Sequence, residues 1–443
     1  MQRKTDDRQS QSTRRTFLKS TGAFAAGLAL TGKASAGAPK ETLALLGGPK
    51  AVTYPKKKQD QAERWPLYGP EEEKAVVELI RNPSYAPIDA FEKDWKDYHG
   101  VPYVKAHYNG TSALASMFFA LDLPPGSEIM VPSYTFFATI VPMRLFGLVP
   151  VFVDINPRSL NFDPEDAKRR LTNNTKALVP VHWLGLPCEM DGISDFAKEK
   201  GLIVLEDAAH AHGARMQGKL MGTLSRMSIF SYQKTKPLPT IEGGMGMYQN
   251  REDFERATTF GHYTVPKDFR EESAYRPYFG TGLGLKLRMH PIAAALGRCQ
   301  LQVLDKRNAE ITAQVRRLNG RILDLPGLYE QGTRSDVERV YYAYNMLFID
   351  EAEAGMSREA CVKALRAEGV RATAYSYRLQ HKCAIYKEYQ WWHHLPTIPE
   401  LPGSEQANQT AIKLPLFTSK VPELVDQYVK AFQKVWTHRK QLA

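Results

Sequence analysis

A chain of 443 residues, 43% apolar and 10% aromatic, has the composition of a soluble globular protein with more than one domain. The formal net charge of +11 is concentrated at the start, where Arg3, Lys4, Arg8, Arg14, Arg15, Lys19 and Lys33 face only Asp6 and Asp7, so the remainder is modestly basic. No basic run interleaved with aromatics appears, which disfavours nucleic acid, and Cys188, Cys299, Cys361 and Cys383 lack C-x-x-C spacing, which disfavours metal and iron–sulfur sites.

The first segment, STRRTFLKSTGAFAAGLALTGKASAG, has the paired Arg14-Arg15, a short apolar stretch and then Ala34-Ser35-Ala36. A twin arginine before a modest apolar region and a small-x-small site reads as a twin-arginine signal peptide over residues 1–36. Cleavage is expected after about Ala36, with delivery to the periplasm or another extracytoplasmic space. The apolar part is too short to span a bilayer. That export route carries folded proteins, which hints at a cofactor acquired beforehand.

A polar, Lys-rich segment to about Gln61 is expected to be an extended arm, followed by an amphipathic helix from Pro70 to Arg81. From Thr111 onward, the continuous apolar runs EIMVP (128–132), VPVFVD (149–154), ALVPVH (177–182), LIVLED (202–207) and SIFSY (228–232) alternate with helical patterns such as Pro164–Leu171 and Asp191–Lys200. This pattern predicts a mostly parallel sheet covered by helices on both faces, with chemistry just beyond the strand ends at Pro132, Asp154, His182, Asp207 and Gln233. A long helical pattern over 290–325 bridges to a smaller α+β unit. That unit has a strand in RVYYAYNMLFID, a helix capped by Ser357 and a final amphipathic helix. The expected organisation is a large domain over 37–310, including the N-terminal arm, and a small C-terminal domain over 311–443. In QWWHHLP (390–396), adjacent histidines point different ways, so packing is favoured over metal binding.

Four segments carry possible chemistry. In YNGTSALASMFFAL, Asn109-Gly110 turns into a helix whose first amides, with Thr111 and Ser112, suit a phosphate, although any helix needs a cap. Phe136-Phe137 follows a strand end, where a ring could lie on a ligand or fill core. Asp207 closes a buried strand and requires a donor or a cation, such as a ligand's ring nitrogen or a nearby arginine. His210, three residues on, is expected at the same site and His212 is not. Finally, IFSYQKTKPLPTIEGG places Lys234 and Lys236 just beyond the next strand, near Asp207. A lysine there suits Schiff-base chemistry if its pKa is lowered. GTGLGL (280–285) lacks a strand–turn–helix setting, which disfavours dinucleotide binding.

NGTSAL, PSYTFFAT, EDAAHAHGA, FSYQKTKPLPTIEGG and GLKLRMHPIAAAL occur in the order and spacing of the DegT/StrS aminotransferases, with ALLGGPKAV and KLPLF as further landmarks. The chain resembles that family from about residue 43 to 440. The resemblance implies the type I fold of pyridoxal-phosphate enzymes, a mostly parallel seven-stranded sheet between helices with a smaller C-terminal α+β domain. It implies pyridoxal 5'-phosphate as cofactor and ping-pong transfer of an amino group from glutamate or glutamine to a keto-sugar or keto-cyclitol. Lys236 would form the internal aldimine and shuttle the proton, whereas Lys234 falls at a variable position without such a role. Asp207 would pair with the pyridinium nitrogen, His210 would approach the ring's 3-oxygen and Phe136 would stack on the ring. Gly110, Thr111 and Ser231 would hold the phosphate, with Ser112 as a backbone donor. Arg288 would reach the neighbouring subunit's site, implying a homodimer with shared active sites. The family's sugar dehydratases carry histidine where Lys236 stands, and a non-catalytic sugar-binding descendant would be expected to lose these residues. Pro237 follows the lysine, and Ile241 stands where the family usually has glycine.

Overall fold

Seven strands form the central sheet: β1 (Tyr103–His107), β2 (Glu128–Pro132), β3 (Val149–Val153), β4 (Thr175–Leu178), β5 (Ile203–Asp207), β6 (Met227–Ser231) and β7 (Gly244–Tyr248). Their order is β1-β7-β6-β5-β4-β2-β3, and only β7 runs against the rest. The computed structural model describes residues 41–264, 269–332 and 334–442. The expected signal peptide and its expected cleavage point after about Ala36 lie outside the described residues.

The runs are continuous because both faces are covered. Met130 and Phe230 point into one apolar cluster, while Ile129, Val131, Leu205 and Ile229 point into another on the opposite face. Proline opens the helices Pro70–Arg81, Pro164–Arg169 and Pro291–Gln302, where its missing amide costs nothing. Gly201, at φ 65°, ends Met190–Lys200 immediately before β5.

A second sheet contains β8 (Leu328–Glu330), β9 (Asn345–Ile349), β10 (Thr373–Ala374) and β11 (Ala411–Leu414), in the order β8-β9-β11-β10. Its apolar face lies under Arg358–Ala367, capped by Ser357, and Pro422–Thr437. A smaller sheet joins Arg215–Met216, Lys219–Leu220 and Val337–Glu338. Residues Thr42–Ala443 form one unit by their contacts.

Three expectations require correction. The polar arm contains a helix, Lys56–Ala62, whose Gln59 side chain donates to the buried Tyr428 hydroxyl at 2.8 Å. The long helical pattern breaks at Val303 (φ −110°) into Pro291–Gln302 and Leu304–Asn319. Only Asn345–Ile349 of RVYYAYNMLFID pairs in the second sheet; Tyr342, before it, turns its ring toward Lys236.

Candidate active site

The carboxyl ends of β1 and β6 meet the start of β7 on one line, since His107 and Ser231 both pair with Gly244. Asp207 pairs with Ile229, two residues before Ser231. Three segments that are distant in the chain thus share one edge of the sheet.

After His107 the chain turns into the helix Gly110–Ala120. The Asn109 side-chain oxygen accepts both the Ser112 amide and the Ser112 hydroxyl, each at 2.9 Å. The amides of Gly110 and Thr111 precede the first intrahelical bond, from the Ala113 amide to the Asn109 carbonyl at 3.2 Å. They are open donors at a positive helix end. The Ser112 donors are instead used within the cap. Ser231 stands beside this helix end: a Cβ on Gly110 would fall 2.8 Å from the Ser231 Cβ.

The Asp207 carboxylate is buried. It accepts from the Thr139 hydroxyl at 2.8 Å and the Ala209 amide at 3.1 Å, and no cation is paired with it among the described residues. Burial pushes its carboxyl above the usual carboxylate range, against these donors and the Lys236 charge. Thr139 belongs to the turn after Phe136, whose ring is 52% exposed and tilted on Phe137 at 4.4 Å.

Lys236 lies in the loop joining β6 to β7. Four backbone bonds brace that loop: Tyr232 to Gly243 (2.8 Å), Thr240 to Tyr232 (2.8 Å), Lys234 to Ile241 (2.9 Å) and Lys236 to Gln233 (2.8 Å). Its Nζ lies 4.5 Å from the centre of the Tyr342 ring. Burial lowers its pKa to about 8, opposed by the carboxylates of Asp207 and Glu242. Tyr342 also stacks on His210 at 4.2 Å, and its hydroxyl is 3.0 Å from that of Thr235.

The buried His210 ring accepts the Leu184 amide on Nδ1 at 3.3 Å. Burial and the Lys236 charge hold its pKa well below the usual histidine value, so it is neutral with its proton on Nε2. Residues 208–214 form successive turns rather than a helix, so these turns, and not helical spacing, bring His210 to the site. His212 packs instead against Phe230 and Tyr232. Arg288 bridges His107 through its backbone, and its guanidinium lies over Tyr85 (3.9 Å) and Tyr263 (5.2 Å).

Lys236, Asp207, His210, Gly110, Thr111 and Ser231 therefore sit on one edge, with Phe136 at its rim. Tyr342, Thr139 and Tyr377 were not foreseen in the sequence. Tyr377 is close enough for its hydroxyl to feel the Asp207 charge. A cluster of tyrosines ahead of a strand was the only available signal for Tyr342.

Residues 68–433 match the DegT/DnrJ/EryC1/StrS aminotransferase family. The chain belongs to that family. It is 30% identical to the spore coat polysaccharide biosynthesis protein SpsC of Bacillus subtilis, over 84% of the chain and 95% of that protein. It is 29% identical to 3-amino-5-hydroxybenzoate synthase of Amycolatopsis mediterranei, over 80% of the chain and 98% of the synthase. The crystal structure of DesI in the presence of its TDP-sugar product superposes with a TM-score of 0.73 at 25% identity, covering 90% of this chain and 97% of DesI. The fold is thus the type I fold of pyridoxal-phosphate aminotransferases.

The family's enzymes use pyridoxal phosphate, and the residues here fit that group. A Cβ on Gly244 would fall 2.4 Å from the Asn109 carbonyl, so only bare backbone fits beside the open helix end that would take the phosphate. The Asp207 carboxylate, supplied with neutral donors and without a paired cation, suits a protonated ring nitrogen.

Proposed function

We propose that the chain moves an amino group from glutamate or glutamine to a keto-sugar or keto-cyclitol in two half-reactions of ping-pong type. The observation that carries this reading is the partly desolvated Lys236 amine beside the buried Asp207 carboxylate, which is in no ion pair among the described residues. Pyridoxal phosphate, when bound, supplies an aldehyde carbon for amines and a ring that accepts an electron pair. Gly110 and Thr111 would donate backbone amides to its phosphate, and Ser231 would offer a hydroxyl. Asp207 would hold a proton on the ring nitrogen, steadied by Thr139. His210, with its proton on Nε2, would donate toward the ring's 3-oxygen, and Phe136 would cover the ring. Lys236 would hold the cofactor through its amine, and the same amine, when free, would take the proton from the donor's α-carbon.

The same reading places the mature protein outside the cytoplasm, on the strength of Arg14-Arg15 and Ala34-Ser35-Ala36. It also pairs two copies around shared sites. Phe136, 52% exposed, and Tyr108, 54% exposed, stand uncovered in the single chain beside the site, as surfaces for a second copy would.

Borohydride reduction of the purified protein tests the central assignment. Wild type is expected to retain the cofactor covalently, with the added mass on the peptide containing Lys236. Lys236→Ala is expected to lose both the visible absorbance band and the covalent adduct. Covalent cofactor in the reduced Lys236→Ala protein would refute the assignment.

A further inference from the structure

The turn that carries Phe136 is closed by a pair of buried hydroxyls. Thr135 and Thr139 are each 1% exposed, and their side-chain oxygens lie 2.8 Å apart. Thr139 in turn reaches Asp207 Oδ2 at 2.8 Å. A threonine hydroxyl has one hydrogen, and an ionised carboxylate can only accept. The Thr139 hydrogen therefore goes to Asp207, and Thr135 must donate the bond between the two threonines. All the hydrogens in this row point toward the carboxylate.

The far end of the row is fixed by residues beyond the small domain's third strand. The Gln380 side-chain amide donates to the Thr135 carbonyl at 3.0 Å, and the Gln380 backbone amide to the Ser133 carbonyl at 3.1 Å. The Ser133 hydroxyl meets His381 Nδ1 at 2.7 Å and accepts the His381 amide at 3.1 Å. Asp207 depends on the near end. Burial drives a proton onto its carboxyl, and the Thr139 hydroxyl is the foremost group acting against that. A hydroxyl that accepts a bond on its own oxygen is a stronger donor, because each bond in a chain polarises the next.

We propose that Thr135 is a positioning residue for the cofactor's ring nitrogen: by donating to Thr139 it strengthens the bond that keeps Asp207 ionised, and so keeps the proton on the ring rather than on the carboxyl. The proposal rests on the aminotransfer reading, in which Asp207 faces that nitrogen. Without the Thr135 hydroxyl the carboxyl gains proton affinity. The proton then passes from the ring nitrogen to a carboxyl oxygen of Asp207, and no other group gains or loses one.

Nitrogen NMR of the holoenzyme, loaded with pyridoxal phosphate labelled at the ring nitrogen, tests it in wild type, Thr135→Val and Thr135→Ser. Wild type is expected to show a protonated ring nitrogen. Thr135→Val keeps the shape of the side chain without its hydroxyl. It is expected to move the signal toward that of a neutral ring and to weaken cofactor binding about threefold in equilibrium dialysis. Thr135→Ser is expected to match wild type in both measurements. In a Thr139→Val background, adding Thr135→Val should cost nothing further, since no bond is left to strengthen. A hydroxyl that only shaped the turn bearing Phe136 would weaken binding and leave the nitrogen signal unmoved, and that result overturns the proposal. So does unchanged binding in Thr135→Val, an equal loss in Thr135→Ser, or an added loss in the Thr139→Val background. The two readings fail separately: a neutral ring nitrogen in wild type sinks the pairing with Asp207, whereas a protonated nitrogen that stays unmoved in Thr135→Val sinks only the role of Thr135.

Discussion

Lys236 needs a free amine to react, and its surroundings set the pH at which it has one. With a pKa near 8, about a tenth of the amine is free at pH 7, whereas an unperturbed lysine would have far less than a hundredth. The rate at which the apoprotein takes up pyridoxal phosphate should therefore rise about tenfold above its value at pH 7 and level off at about pH 9. A rate that continues to climb to pH 10 would show that burial does not lower this pKa. Ile241, at the far side of the same loop, has φ 72° and is 56% exposed. A β-branched residue there pays roughly 1–2 kcal/mol of backbone strain, and glycine would remove it at the cost of about 0.5–1 kcal/mol of unfolded-chain entropy. Ile241→Gly is expected to stabilise the protein by up to about 1 kcal/mol in urea unfolding; destabilisation would mean that the side chain packs. Sequence spacing could choose between Lys234 and Lys236 only through a family resemblance. It was silent on Tyr342 because nothing local ties that residue to a lysine so far back in the chain.

At the scale of elements, the helix Gly110–Ala120 and β6 touch where they would hold the phosphate. Gly110→Ala separates two effects. Helix propensity favours alanine by up to about 1 kcal/mol, but the new Cβ would meet the Ser231 Cβ at 2.8 Å. Equilibrium dialysis should show cofactor affinity falling at least tenfold. Adding Ser231→Gly should restore thermal stability without restoring affinity, because the hydroxyl goes with the clash. Unchanged cofactor affinity in Gly110→Ala would place the phosphate elsewhere. The five apolar runs were legible because strands covered on both faces need no polar alternation. β1, with Lys105 in YVKAH, was not, since it lies at the edge of the sheet and reads as polar chain. The break at Val303 was hidden because the helical apolar pattern passes through it.

For the whole molecule, the proposed leader and the proposed reaction make opposite demands. Nucleotide-linked sugars and amino donors are abundant in the cytoplasm, yet Arg14-Arg15 points outward. Replacing both arginines with lysine is expected to keep the protein in the cytoplasm with its cofactor bound, as fractionation of cells would show. Unimpeded export of that variant would remove the twin-arginine reading. Composition and strand rhythm revealed the wound sheet, and the pairing of a tyrosine cluster with the lysine loop emerged only in three dimensions. The reason is physical: the second sheet contributes residues by turning its loops toward the first, and no periodicity records such a turn.

The loop between β6 and β7 has a consequence beyond carrying a lysine. Its two ends, Ser231 and Gly244, are direct partners across adjacent strands, so the amine is tethered at both sides to the rigid sheet that bears Asp207. On the proposed mechanism a displaced lysine could not wander, and its effective concentration at the reaction centre would stay that of an intramolecular group. Each turnover would then end with recapture by the same amine rather than by a competing one from solution.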